Sequence, residues 1–422
     1  MKGIKFRLIV MNFLIFAAWG AYLCSLGVYL GRVGMGSQIG SFYAIQGIVS
    51  LFMPALMGIV ADRWIPAQKL LGICHLLSAV FIGMAGFMGM THGNITFGQI
   101  FPWYALSVAF FMPTIALGNS VSYNALAKAG LDSVKAYPPI RVFGTVGFII
   151  SMWIVNFTGF KDSYMQLFVS AAWSLILGFY AFTLPECPTN KAGGKSFVDA
   201  MGLRAFTLFK DSKMCVFFIF SFLLGMCLQV TNGFCTPYLD AFGTSEQFAN
   251  TFAVKNNVFL SSISQISETL CILLIPFFLR KFGIKKVMII AFAAWFLRFA
   301  LLGAGSPTGF GLVLFILSMI VYGVAFDFYN ISGSLFVDQN TDVSIRNSAQ
   351  GVFMMMTNGF GATIGSFCAG WVVNKYTNGI QDFNQLIDGW TTVWYIFAAF
   401  ALIVGILFAI IFKYKHNSET AK

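Results

Sequence analysis

Apolar stretches of about 20 residues, the length a helix needs to cross a bilayer core, recur about a dozen times along this chain, separated by short polar turns. Twelve spans are predicted, near residues 8–30, 38–61, 69–90, 98–127, 138–158, 163–184, 214–237, 250–278, 285–305, 309–335, 345–374 and 391–412. No window between them is long and hydrophilic enough for a soluble domain, so the pattern is that of an all-α, polytopic integral membrane protein. The first span follows Lys2, Lys5 and Arg7, as a secretory signal would. Its apolar run exceeds an ordinary signal core and no small-x-small cleavage site follows, so it is expected to be retained as a helix.

Of the 422 residues, 58% are hydrophobic and only 10% charged, which leaves few polar groups to carry a function. Lipid tolerates such groups inside a span only where they face the bundle interior or a wet cavity. The net charge of +11 would suggest a polyanionic partner in a soluble protein. With the N-terminus inside, however, every Lys and Arg except Arg32, Lys161, Lys255, Arg298 and Lys375 falls at the cytoplasmic side. The positive-inside rule then places both termini in the cytoplasm and accounts for the basic charge without nucleic acid. The eight cysteines are scattered without a CxxC pair, and His75, His92 and His416 are far apart, so neither a disulfide framework nor a metal site is expected.

One break in composition, Pro185 to Lys213, is rich in Gly, Lys and Asp and separates six spans from six. It divides the chain into an N-terminal bundle (1–184), a cytoplasmic linker (185–213) and a C-terminal bundle (214–422). The halves echo each other. Pro54–Leu71 (PALMGIVADRWIPAQKLL) follows the second span as Pro276–Val287 (PFFLRKFGIKKV) follows the eighth, and Arg141 with Gly144 and Gly147 matches Arg346 with Gly351. Weak internal symmetry marks secondary transporters built from repeats, whose substrate sites lie near the bilayer midplane between the halves.

Four polar clusters lie inside spans. Arg141, Thr145 and Phe148 stand at i, i+4 and i+7 on one face of the fifth span. Gln229 and Asn232 are i, i+3 neighbours in the seventh, as are Gln265 and Glu268 in the eighth. The tenth carries Tyr322, Phe326 and Tyr329 on one face, with Asp327 turned about 140° from Tyr322. Amides and hydroxyls often tie membrane helices together for about 0.6–2 kcal/mol, and for Thr145 or Asn232 singly that role weighs evenly with ligand contact. A mid-membrane carboxylate costs at least about 2.5 kcal/mol, so Glu268 and Asp327 are functional candidates by default. Burial also disfavours the ionised form of a carboxylate, which is what a proton carrier requires. Arg141 either anchors the cytoplasmic end of its helix, pairs with an acid, or meets ligand. With one buried cation and no second one to balance a phosphate, the inventory suits a neutral, hydroxyl-rich ligand with a flat ring. A nucleoside has both parts. A sugar would also use the hydroxyl acceptors and aromatic platforms, so composition leaves the two open.

At Gly58-Ile-Val-Ala-Asp62-Arg63, with Lys69 beyond, the chain resembles the loop signature between helices two and three of the major facilitator superfamily. Asp62 is expected to accept from neighbouring helix N-termini while Arg63 and Lys69 stay at the anionic cytoplasmic face, a gating turn. The resemblance implies a major facilitator fold of twelve helices in two six-helix halves. Closer still, PPIRVFGTVGFI (Pro138–Ile149), FMPALMGIVAD (Phe52–Asp62), SQISETLCILLIPFFL (Ser264–Leu279), SMIVYGVAFDFYNISGSLFV (Ser318–Val337) and AQGVFMMMTNGFG (Ala349–Gly361) resemble the bacterial permeases of the nucleoside:proton symporter family. That resemblance implies proton-driven import of purine and pyrimidine nucleosides across the inner membrane. It implies ligand contacts at Arg141, Thr145, Phe148, Gln229, Asn232, Gln265, Glu268, Tyr322 and Phe326, and proton coupling at Asp327, with Glu268 the second candidate. Phe143, where Trp is more familiar, and Cys235 with Thr236 depart from the pattern and bear on base preference. The expected partners are nucleoside, protons and lipid, with no cofactor beyond the co-transported proton and the chain working as a monomer; a proton-coupled symporter of sugars or other polyols with the same fold is the alternative.

Enzyme readings fare poorly. Gly194-Lys195-Ser196 looks like the end of a phosphate-binding loop, but no glycine stands the required distance before it, and the linker has no room for a nucleotide-binding domain. No histidine is placed to serve a nucleophile. A channel is disfavoured by the repeat architecture and the lack of a filter-like loop.

Overall fold

The computed structural model describes residues 3–91, 95–189, 203–342 and 345–414. Within them all regular structure is helical, with no strand. That follows from the solvent: in hydrocarbon, backbone groups must be satisfied within the segment itself, and a helix does so. Nine of the described helices are long and apolar enough to cross a membrane.

The chain divides into two compact units. The first comprises Met1–Gln38 with Ile45–Met201, the second Ile39–Ala44 with Gly202–Lys422. Of the linker expected at 185–213, residues 190–202, including Gly194, Lys195 and Ser196, lie outside the described residues. So do His92 and His416.

The first unit contains α1 (Ile4–Gly20), α2 (Leu26–Arg32), α4 (Ala67–Thr91), α5 (Phe97–Lys128), α6 (Ser133–Phe157) and α7 (Met165–Ala181), with most of α3 (Ile39–Arg63). Helix α1 packs mainly on α6 and α7, and α4 on α5 and α7. Thr96 opens α5 with a capping box, its N–H donating to Gln99 Oε1 at 2.8 Å. Basic residues gather at one end: Lys69 pairs with Glu186 at 3.8 Å, Lys128 donates to the Glu186 carbonyl, and Arg7 donates to the Thr183 carbonyl. Arg32 and Asp162, 4.0 Å apart, mark the other end.

The second unit contains α8 (Ser212–Ala241), short α9 (Glu246–Ala249) and α10 (Phe252–Lys255), α11 (Asn257–Ala304), α12 (Gly309–Asn340), α13 (Arg346–Met354), a π-helical segment (Met355–Gly361), α14 (Ala362–Thr377) and α15 (Phe383–Ile411). Asp211 caps α8 by accepting from the Met214 N–H at 2.8 Å, and Asp382 caps α15 by accepting from Gln385 at 2.9 Å. The 48-residue α11 is two helices joined at Gly283, whose φ of +75° suits only glycine. This joint corresponds to the turn expected between the eighth and ninth spans. Together with α7 and the α1–α2 pair, the long helices accommodate twelve crossings.

Candidate functional site

Helices α11 and α12 make the most extensive pairing in the molecule, and their crossing sets the geometry of the acids. A Cβ placed on Gly323 would lie 2.6 Å from the Ser267 carbonyl and 2.7 Å from the Glu268 nitrogen. Only glycine permits so close a backbone approach. Ser267 Oγ locks the crossing by donating to the Ile320 carbonyl. One turn on, Asp327 is 5% exposed, its Oδ2 has no hydrogen-bond partner among the described residues, and Glu268 is close enough to act on it electrostatically. The two carboxyls are therefore neighbours on facing helices. Sequence reasoning named both but had no means to join them.

The other candidates of the second unit lie on α8, α11 and α12. Tyr322 and Phe326 stack with ring centroids 5.8 Å apart and planes 4° from parallel, forming one continuous aromatic face. Asn232 Nδ2 donates to Gln229 Oε1 at 3.1 Å, so the two amides of α8 act as a preset pair. Gln265, half-buried, carries an Oε1 without a hydrogen-bond partner among the described residues. Tyr329, expected on the same stripe as Tyr322, is fully buried in the core, its hydroxyl 3.1 Å from Ser221 Oγ and its ring against Phe217 and Phe292. Its role is packing.

In the first unit, Arg141 sits over the Phe16 ring at 3.9 Å from the centroid and is partly exposed, with Thr145 one turn further along. Phe148 is 6% exposed and meets Trp19 edge-on at 6.1 Å, within the layer where α1 and α6 pack. Gly20 and Gly147 allow the two backbones to touch there.

Two expectations are corrected. Asp62 is exposed at the end of α3 and, among the described residues, accepts no helix N-terminal hydrogen bond. At this end Lys69, on the first turn of α4, pairs with Glu186. The second correction concerns the expectation of no second buried cation: Arg298 is 2% exposed. The signal was present in its apolar surroundings, AAWFLRFALL, where a charge has no water to reach.

Residues 1–417 match the family described as Nucleoside H+ symporter. The chain belongs to that family. Among its relatives, the nucleoside permease NupG of Escherichia coli (strain K12) is 47% identical over 419 residues, 98% of this chain and 97% of the relative. The xanthosine permease of the same organism is 45% identical over 425 residues, 100% of this chain and 98% of its own. A crystal structure of nucleoside transporter NupG, as an aspartate-to-alanine variant, superposes with a TM-score of 0.91 at 46% identity, covering 97% of this chain and 100% of that one. The fold is thus the major facilitator fold and the protein a multi-pass transporter of the inner membrane, not an enzyme. Membership also removes the openness between nucleoside and sugar that composition left.

Proposed function

We propose that this chain imports purine and pyrimidine nucleosides with protons across the cytoplasmic membrane by alternating access. The arrangement that carries the reading is the acid pair Glu268 and Asp327 beside the stacked rings of Tyr322 and Phe326. Stacked aromatics take the flat face of a base, while the amides Gln229, Asn232 and Gln265 and the Glu268 carboxylate take ribose hydroxyls. Two relatives named for moving nucleosides and xanthosine support this assignment. Glu268 shares a helical face with Gln265 and takes part in ligand contact, whereas Asp327 lies off the Tyr322–Phe326 face and is the freer group to carry the proton. Arg141, Thr145 and Phe148 are further ligand contacts, and Asp62 with Arg63 gates the cycle without touching ligand. The gathering of cations at one end of the first unit supports cytoplasmic termini, as do Lys213, Lys285 and Arg346 bound to Asn340, the Ala409 carbonyl and Asp338 in the second. The chain works as a monomer, with the co-transported proton in place of a cofactor.

Counterflow on reconstituted protein tests the substrate class. Uridine, adenosine, guanosine and xanthosine should each compete with labelled uridine, and ribose should not. Ribose competing as well as uridine would overturn the nucleoside assignment in favour of a sugar symporter.

A further inference from the structure

Arg298, on the second arm of α11, is buried at 2% exposure and reaches two of the elements that carry ligand candidates, the first arm of α11 and α12. Its Nη1 donates to the Ser318 carbonyl at 2.9 Å and to Ser264 Oγ at 3.3 Å, and Ser318 Oγ returns a bond to the Arg298 carbonyl at 2.9 Å. Ser264 immediately precedes Gln265. Ser318 lies one turn before Tyr322. The guanidinium carbon stands 4.6 Å from the centroid of the Tyr322 ring, and Trp295, one turn before Arg298, meets that ring edge-on at 5.9 Å.

A helix strut needs only acceptors, which Ser318 and Ser264 already supply. Here the same planar fork is also laid against an aromatic ring, a geometry that a lysine ammonium does not reproduce. Tyr322 is in turn parallel to Phe326, so whatever fixes the first ring fixes the pair. The cation also draws π density toward itself, which lowers the repulsion a second electron-rich ring would meet on stacking.

We propose that Arg298 is a positioning residue for nucleoside recognition: it holds the Tyr322–Phe326 pair in the orientation that stacks the base, and it favours purines over pyrimidines. This rests on the reading that Tyr322 and Phe326 contact the nucleoside. Arg298 itself touches no ligand. It acts through the ring.

The test is calorimetric binding of adenosine and uridine to the purified full-length chain, with thermal unfolding recorded for each variant. Arg298→Lys should weaken adenosine by about tenfold and uridine by about threefold, in keeping with loss of a desolvated cation–π contact. In a Tyr322→Leu background the same substitution should add less than about twofold, because coupled residues are not additive. Ser264→Ala, which leaves the charge in place and frees one anchor of the fork, should lower the adenosine-to-uridine affinity ratio; this variant decides the matter if Arg298→Lys does not fold. Full additivity in the double variant, an unchanged affinity ratio in Ser264→Ala, or a lowered unfolding temperature with wild-type affinity in Arg298→Lys would each reduce Arg298 to a strut. Wild-type affinity in Tyr322→Leu alone would overturn the underlying site as well, so the two failures are distinguishable.

Discussion

At the scale of single residues, Asp327 and Glu268 differ in what else they must do. Asp327 has a carboxyl oxygen without a protein hydrogen bond among the described residues and lies next to, not on, the Tyr322–Phe326 face; Glu268 shares a helical face with Gln265. Asp327→Asn is therefore expected to abolish proton-driven accumulation yet keep nucleoside binding and some exchange, while Glu268→Gln impairs binding itself. Vesicle uptake by Asp327→Asn that an inward proton gradient still stimulates as in wild type would end this division of labour. Gln265→Ala and Asn232→Ala should each lose about 0.5–3 kcal/mol of nucleoside binding with unfolding temperatures little changed, since each removes a hydrogen-bonding group and no core ring. Phe148→Ala should lose both affinity and stability, because Phe148 is packed against Trp19 and its removal leaves a cavity costing about 3–5 kcal/mol. A melt matched with titration separates the two behaviours. The candidate acids and amides were legible because each is a polar residue in a run that lipid would otherwise forbid. Arg298 went unrecognised as a buried cation because the groups that surround it, Ser264, Ser318 and Tyr322, come from distant parts of the chain.

At the scale of helices, the decisive contact is the α11–α12 crossing. Gly323→Ala would press a methyl into the Ser267 and Glu268 backbone and force the helices apart, displacing Glu268 from Asp327. We expect this substitution to destabilise by about 1–3 kcal/mol, as overpacking does, and to weaken nucleoside binding. Gly351→Ala, where nothing lies within 4 Å of the added carbon, is the matched control and should melt and bind as wild type. If both variants behave alike, the close approach is not what positions the acids. The spans themselves were legible, since a run of apolar residues of the right length has one solution in lipid. The π-helical turn at Met355–Gly361 was not. Its sequence, MMTNGFG, is compatible with an ordinary helix, and the widened turn sits where Thr357 and Gly361 meet the backbone of α8 at Gly225. Only tertiary packing distinguishes the two.

For the molecule as a whole, one proton moving through about 150 mV supplies roughly 3.5 kcal/mol, enough to concentrate a neutral solute a few-hundred-fold. No nucleotide site is needed for such work. If the Asp62–Arg63 turn biases one state of the cycle, Asp62→Asn should change transport rate with little effect on equilibrium binding, because a population shift alters cycling before it alters the pocket. Normal rates with tenfold poorer affinity, measured by uptake and titration on the same preparation, would contradict a gating role. Family and fold were readable from long strings spread over both halves, whereas the exposure of Asp62 was not: the motif specifies a turn, and only the structure says which side chains the turn engages. The joint at Gly283 has a consequence during synthesis. The two arms of α11 leave the ribosome as nearly one apolar run, and what separates them is a glycine bend flanked by Arg280, Lys281, Lys285 and Lys286. Cations resist translocation, so in the proposed topology, with both termini cytoplasmic, this bend stays on the side where synthesis occurs and the arms enter the bilayer as a hairpin. With those four residues changed to Gln, the insertion machinery would be free to thread the run straight through, and reporters fused after α15 would then emerge on the opposite face of the membrane.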